Sequence, residues 1–110
     1  MNNELCFKSA RELTQLVQTR QVSAEETLHC FLEHIETVNP TVNAIVTLAP
    51  EHALDLARNV DAKLAHGEPV GALAGLPIAH KDLVDTKGIR TTYGSRIYAN
   101  HIPTSDDLLV

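Results

Sequence analysis

Gly75-Leu76-Pro77-Ile78-Ala79-His80-Lys81-Asp82-Leu83-Val84-Asp85-Thr86-Lys87-Gly88-Ile89-Arg90-Thr91-Thr92-Tyr93-Gly94-Ser95 is the stretch around which the rest of the chain is read. It opens on a short apolar run, Leu76 to Ala79, whose length suits a buried strand. Pro77 fits such a strand only near its start, where a missing N–H is harmless. His80-Lys81-Asp82 interrupts the apolar character, which returns at Leu83-Val84. A lysine held between apolar segments is costly to bury as an ammonium, and desolvation lowers its pKa. A neutral amine in a dry site is a usable general base. The plainer reading is a surface lysine at a strand end, because lysine is rarely buried without a partner. Gly88 and Gly94 mark tight turns beyond it.

Working back toward the N-terminus, Ser9-Ala10-Arg11-Glu12 is a capping box, which predicts a first helix from about Ala10 to Gln18 with Leu13, Leu16 and Val17 on its apolar face. Ser23-Ala24-Glu25-Glu26 is a second box. The helix it opens carries Ala24, Leu28, Phe31, Leu32, Ile35 and Val38 at helical spacing and should end near Thr37, because the residue before Pro40 avoids the α region. The short turn between these helices predicts an antiparallel pair, each covering the other's stripe. Ala44-Ile45-Val46-Thr47-Leu48 is short, apolar and β-branched and reads as a strand. Pro50 opens a third helix reaching about His66, with Ala53, Leu56, Ala57, Val60 and Leu64 inward and Gly67 just past its end. Strand, helix and strand in that order imply a parallel pair with a right-handed crossover. Ser105-Asp106-Asp107 looks like a further helix start.

The spelling of the opening stretch resembles the amidase signature family. That family shares a Gly-x-Pro-x-x-x-Lys-Asp core followed by Gly-x-x-Thr-Thr-x-Gly-Ser, here Gly75, Pro77, Lys81 and Asp82, then Gly88, Thr91, Thr92, Gly94 and Ser95. The tail from Pro103 to Val110 is similar to the family's Pro-x-x-Asp-Ala-x-x-Val segment, with Asp107 in the alanine position. The resemblance implies an α/β fold with helices packed on a mixed β-sheet. It also implies hydrolysis of a carboxylic amide to an acid and ammonia or an amine through a Ser-Ser-Lys triad, with no cofactor and no metal. In such a triad a lysine deprotonates a bridging serine, which activates a nucleophilic serine. Lys81 matches the lysine, and it is the catalytic residue expected here. The two serines belong to a Gly/Ser-rich run, and none occurs before Val110. Ser95 lacks the Gly-x-Ser-x-Gly of a nucleophile elbow and is read as structural. Asp82 is expected to bond backbone near the lysine while pointing away from it, since a close carboxylate would raise the amine's pKa.

Residues 1–110 are accordingly expected to be the N-terminal part of one amidase domain with no internal boundary, taken from a longer enzyme. Within the family, the Thr-Thr-Tyr-Gly-Ser spelling looks more like the general amidases than like the runner-up, the A subunit of a tRNA-dependent amidotransferase. A rival of another class is a non-catalytic helical interaction module.

With 110 residues, 44% of them hydrophobic, the chain is long enough for one modest core. The net charge is −5 with mixed signs and no basic patch, so a small-molecule amide is the expected partner and nucleic acid is not. The histidines lack metal-ligand spacing: His29 and His34 are five apart, whereas helical zinc pairs sit at i and i+4. Cys6 and Cys30 could in principle pair as a disulfide, but two thiols in a reducing compartment is the reading preferred. The start Met1-Asn2-Asn3-Glu4 lacks a positive, apolar leader, and no run approaches the roughly 20 apolar residues of a membrane span, so a cytoplasmic protein is expected. Sheet edges awaiting a missing part predict self-association.

Overall fold

A computed structural model describes residues 3–110; the N-terminal reading at Met1 and Asn2 falls outside these. The chain divides into two compact units, one made of the described residues up to Asn43 with Pro50–Pro77, the other of Ala44–Ala49 with Ile78–Val110.

The first unit is helical. A 3-10 turn, Asn3–Phe7, precedes α1 (Ala10–Gln18), α2 (Ala24–Val42) and α3 (Pro50–Ala65). Both capping boxes form as read. Ser9 N–H donates to Glu12 Oε2 at 2.8 Å and Glu12 N–H to Ser9 Oγ at 3.3 Å. The Ser23–Glu26 pair repeats this at 2.8 and 2.9 Å. Each box satisfies donors that a helix start otherwise leaves orphaned. The ends are closed by left-handed residues. Arg20 (φ 57°) follows α1, with Gln21 N–H returning to the Leu16 carbonyl at 2.9 Å. Gly67 (φ 69°) follows α3, with Glu68 N–H returning to Lys63 at 2.9 Å and Gly67 N–H to Leu64 at 3.2 Å, the Schellman arrangement.

Helix α2 outruns its expected end. Pro40 lies inside it, and Asn43 (φ 48°) caps it. Proline removes one N–H and hence the bond to the Glu36 carbonyl. Glu36 and Pro40 are exposed in the last turns, where water reaches that carbonyl. Nor is α1 the main cover of α2. Helix α2 packs chiefly on α3, then on the Asn3–Phe7 turn. Val17 of α1 joins Ala24, Leu28 and Ala57 in the buried cluster, with Leu32, Ala53, Leu54, Val60 and Leu64 against it. Burying Val17 and Leu28 contributes roughly 2 kcal/mol each. On α3 it is Leu54 that faces this core, whereas Leu56 is 54% exposed.

Two contacts join α3 to the start of α2. The Asp61 carboxylate accepts Ala24 N–H at 2.7 Å and Glu25 N–H at 3.0 Å, so the α3 side chain caps α2 across sequence. Arg58 Nη2 lies 2.9 Å from Glu25 Oε1; exposed, this pair contributes little to stability.

The expected mixed sheet does not form. Among the described residues there is no strand, only an isolated bridge between Thr86 and Ile89. The fold class is therefore helical with irregular loops, not helices on a β-sheet. Ala44–Leu48 and Leu76–Ala79 are coil, and Val46 (50%), Leu48 (49%) and Ile78 (78%) are substantially exposed. An apolar, β-branched run favours an extended backbone, but a strand exists only when another chain segment completes its ladder. No described segment does so here. Ser105-Asp106-Asp107 starts no helix either. The Asp106 carboxylate instead accepts Lys87 N–H at 2.7 Å, and Asp107 N–H donates to the Asp85 carbonyl at 2.8 Å.

Candidate functional site

The second unit carries Lys81. Lys81–Val84 is a turn closed by Val84 N–H donating to the Lys81 carbonyl at 2.9 Å. The next residue, Asp82, is the hub of the loop. Its carboxylate accepts Thr92 N–H at 2.8 Å and the Thr92 hydroxyl in a short bond, while its carbonyl accepts Tyr93 N–H at 2.9 Å. The convergence needs an unusual backbone: Tyr93 (φ 54°) and Gly94 (φ 65°) are consecutive left-handed residues. Glycine takes that conformation freely, whereas tyrosine does so at a cost of about 1 kcal/mol. Successive amides in such a turn form a concave anion receptor. The Thr92 side chain first, then the Thr92 and Gly94 backbone amides, hold the Asp82 carboxyl below the usual carboxylate range. Asp82 is thus turned to Thr92 and makes no ion pair with Lys81 among the described residues.

Lys81 itself is exposed and in no ion pair among the described residues. The dry surroundings expected for it are not supplied by the residues described. Its position is nonetheless constrained, because the turn it opens is clamped at the following residue. Ser95 acts locally. Its hydroxyl accepts Ile97 N–H at 3.3 Å and caps the 3-10 turn Arg96–Tyr98.

Around this loop the unit is held by bonds between residues distant in sequence. Gly88 N–H donates to Pro103 and Thr91 N–H to His101, both at 3.0 Å. Arg90 reaches the Ala99 carbonyl at 2.7 Å and the Val46 carbonyl at 3.3 Å. Thr91 is 3% exposed. A polar–aromatic cluster completes it. Tyr93 donates its hydroxyl to Asp85 and stacks on His101 at 5.7 Å, Tyr98 packs edge-on to Tyr93 at 5.1 Å, and His101 Nε2 lies 3.9 Å from Asp85 Oδ1. The bond to Asp85 is the main cause of a Tyr93 phenol pushed up to about 12.

The sequence places Lys81 and Asp82 side by side but does not reveal the tie of Asp82 to Thr92 and Gly94. The signal was present, since all four are fixed positions of one motif. The Asp85–Tyr93–His101 cluster carried no such signal. Gly75, the first motif glycine, belongs to the helical unit. At φ 84°, a Cβ there would lie 2.7 Å from Val17 Cγ1.

The amidase family model matches residues 26–110. Among similar curated proteins are the glutamyl-tRNA(Gln) amidotransferase A subunits of Carboxydothermus hydrogenoformans (44% identical over 97% of this chain and 22% of that protein), Bdellovibrio bacteriovorus (46%, 94% and 21%) and Salinispora arenicola (47%, 97% and 22%). The chain thus spans about a fifth of the length of these relatives. No described helix is long and apolar enough to cross a membrane. A family match over most of the chain takes in the whole loop from Lys81 to Gly94, in which Asp82 is tied to Thr92 and Gly94, and on these grounds the chain belongs to the amidase family, the amidase signature family.

Proposed function

We infer that this chain is the Lys81-bearing segment of an amidotransferase A subunit, which releases nitrogen from an amide donor for transfer to glutamyl-tRNA(Gln). The observation that carries this reading is identity of 44–47% over at least 94% of the chain to relatives bearing that name. It favours the amidotransferase A subunit over the general amidases to which the Thr-Thr-Tyr-Gly-Ser spelling pointed. The amide-cleaving step is common to both readings. Lys81 takes the proton of a bridging serine, that serine activates the nucleophilic one, and both serines come from the part of the longer protein that this chain does not span. In this reading that part also covers Lys81, which is exposed in this chain. The Asp82 clamp holds the lysine's turn without placing a carboxylate on the amine. Further subunits and glutamyl-tRNA(Gln) are the implied partners.

A chimera tests this. This chain replaces the matching fifth of the C. hydrogenoformans subunit, and tRNA amidation is assayed with that enzyme's partner subunits. The unaltered chimera should amidate glutamyl-tRNA(Gln), and Lys81→Ala should reduce turnover by about 10³-fold or more. Near-normal turnover in Lys81→Ala would remove Lys81 from the mechanism. Hydrolysis of small carboxamides, with no tRNA amidation, would return the chain to the general amidases.

A further inference from the structure

Outside the Lys81 loop, the chain's two cysteines meet. Cys6 lies on the Asn3–Phe7 turn and Cys30 on α2, yet their Sγ atoms are 3.2 Å apart. The Cys6 thiol also donates to the Cys30 carbonyl at 3.4 Å, which leaves its sulfur facing the second thiol. The placement is set by packing, since the 3-10 turn is one of the two main partners of α2. Phe7 edges onto His34, one turn beyond Cys30, with ring centroids 5.6 Å apart. Neither cysteine is in a disulfide, and among the described residues no cluster of three or more His, Cys, Asp or Glu is placed to hold a metal ion. Cys30 is buried and Cys6 partly exposed, so a small oxidant reaches Cys6 first.

We propose that Cys6 and Cys30 are a redox pair that closes to a disulfide and locks the N-terminal turn onto α2. The sulfurs must approach by about 1.1 Å to reach bonding distance. With a small-molecule disulfide as oxidant, the Cys6 thiolate attacks one of its sulfurs, forming a mixed disulfide and expelling one small thiolate. Cys30 then attacks the Cys6 sulfur, and the Cys6–Cys30 bond forms as the second small thiolate leaves. The two protein thiols lose two protons and two electrons, and the oxidant becomes two thiols. The first step is slow near neutral pH. Burial, then the bond to Cys30 and the charges of Cys30 and Glu33, push the Cys6 thiol up to about 11, so little thiolate is present.

The test equilibrates the 110-residue chain with reduced and oxidised glutathione, in native buffer and in concentrated urea. Acid quenching, alkylation and peptide mass spectrometry then quantify the Cys6–Cys30 link. Packing that holds the thiols together should favour the intramolecular disulfide about tenfold or more in the native chain over the unfolded one, and the closed form should melt at higher temperature than the reduced form. Equal equilibrium constants in buffer and urea, or links formed mainly between copies, would overturn the pair. The native rate of mixed-disulfide formation should keep climbing beyond about pH 9, where an ordinary thiol levels off; a plateau near pH 8.5 would contradict the packed geometry. The comparison uses the unsubstituted chain, so it does not depend on whether Cys6→Ser folds.

Discussion

In the unit built on α1, α2 and α3, most backbone groups at helix ends find partners within a few residues, as Ser9 does with Glu12, Ser23 with Glu26 and Glu68 with Lys63; the Ala24 and Glu25 amides, capped by Asp61, are the exception. In the unit containing Ile78–Val110 the corresponding groups reach much further. Thr92 N–H finds Asp82, Thr91 finds His101, Gly88 finds Pro103, and Lys87 finds Asp106. The first unit also buries a cluster around Val17, Ala24, Leu28 and Ala57, whereas the second leaves Ile78, Ile97, Leu108 and Leu109 largely exposed. The difference teaches that apolar burial and local capping stabilise the helical unit, while a network of individually modest hydrogen bonds shapes the loop that presents Lys81. A loop of this kind holds a side chain at a defined place without enclosing it.

The largest expected effect breaks the helical side of the comparison. Gly75→Ala adds a Cβ 2.7 Å from Val17 Cγ1 at a φ of 84°. Strain and overpacking together should cost about 2–4 kcal/mol in urea unfolding. A loss below about 0.5 kcal/mol would mean that the close approach to Val17 is not maintained in solution. Next is Asp61→Ala, which orphans the Ala24 and Glu25 amides at the head of α2. A destabilisation of about 1–3 kcal/mol is expected, with faster hydrogen exchange at those two amides. Unchanged exchange there would remove the cap across helices.

A smaller effect sharpens the loop side. The Asp82 carboxyl is held below its ordinary value of 3.8, chiefly by Thr92. Its stabilising contribution is therefore complete above about pH 4 and is lost as pH falls through the depressed folded value. Glu12 and Glu25 are lowered as well, by Ser9 and Arg58, so global acid unfolding does not isolate the loop. The Thr92 amide resonance does. It should shift below about pH 4 in the native chain and lose that transition in Asp82→Asn. Retention of the transition in the variant would assign it to another carboxyl. The smallest effect is Lys81→Ala in the chain alone. Exposed and outside the ion pairs, Lys81 should change stability by less than about 0.5 kcal/mol. A larger loss would make it a structural residue.

Much of the helical unit was legible because its signals are local. The α1 boundaries Ala10–Gln18, both capping boxes and Gly67 past α3 follow from neighbouring residues alone. The misses came where distant residues decide. Pro40 was read as a stop, but its carbonyl partner lies near an exposed helix end and α2 continues to Val42. The α3 face was drawn through Leu56, and packing chose Leu54. Ala44–Leu48 and Leu76–Ala79 have strand composition, yet among the described residues they form no strand. Ser105-Asp106-Asp107 has cap chemistry, but Lys87 and Asp85 engage it first. Of the candidate site, motif spacing points to Lys81 and Asp82 as neighbours in the family loop, whereas nothing pointed to the Asp85–Tyr93–His101 cluster, since no periodicity links its members.

By itself the sequence determined the helix starts and the family motif in which Lys81 and Asp82 stand side by side, because each is written in residues a few positions apart. Tertiary structure alone decided that Asp82 turns to Thr92 and Gly94, that Asp61 caps α2, and that Cys6 faces Cys30. The reason is physical. A cap or a turn closes a ring of a few residues at little entropic cost, whereas contacts ten to forty residues apart form only where packing has already brought the segments together.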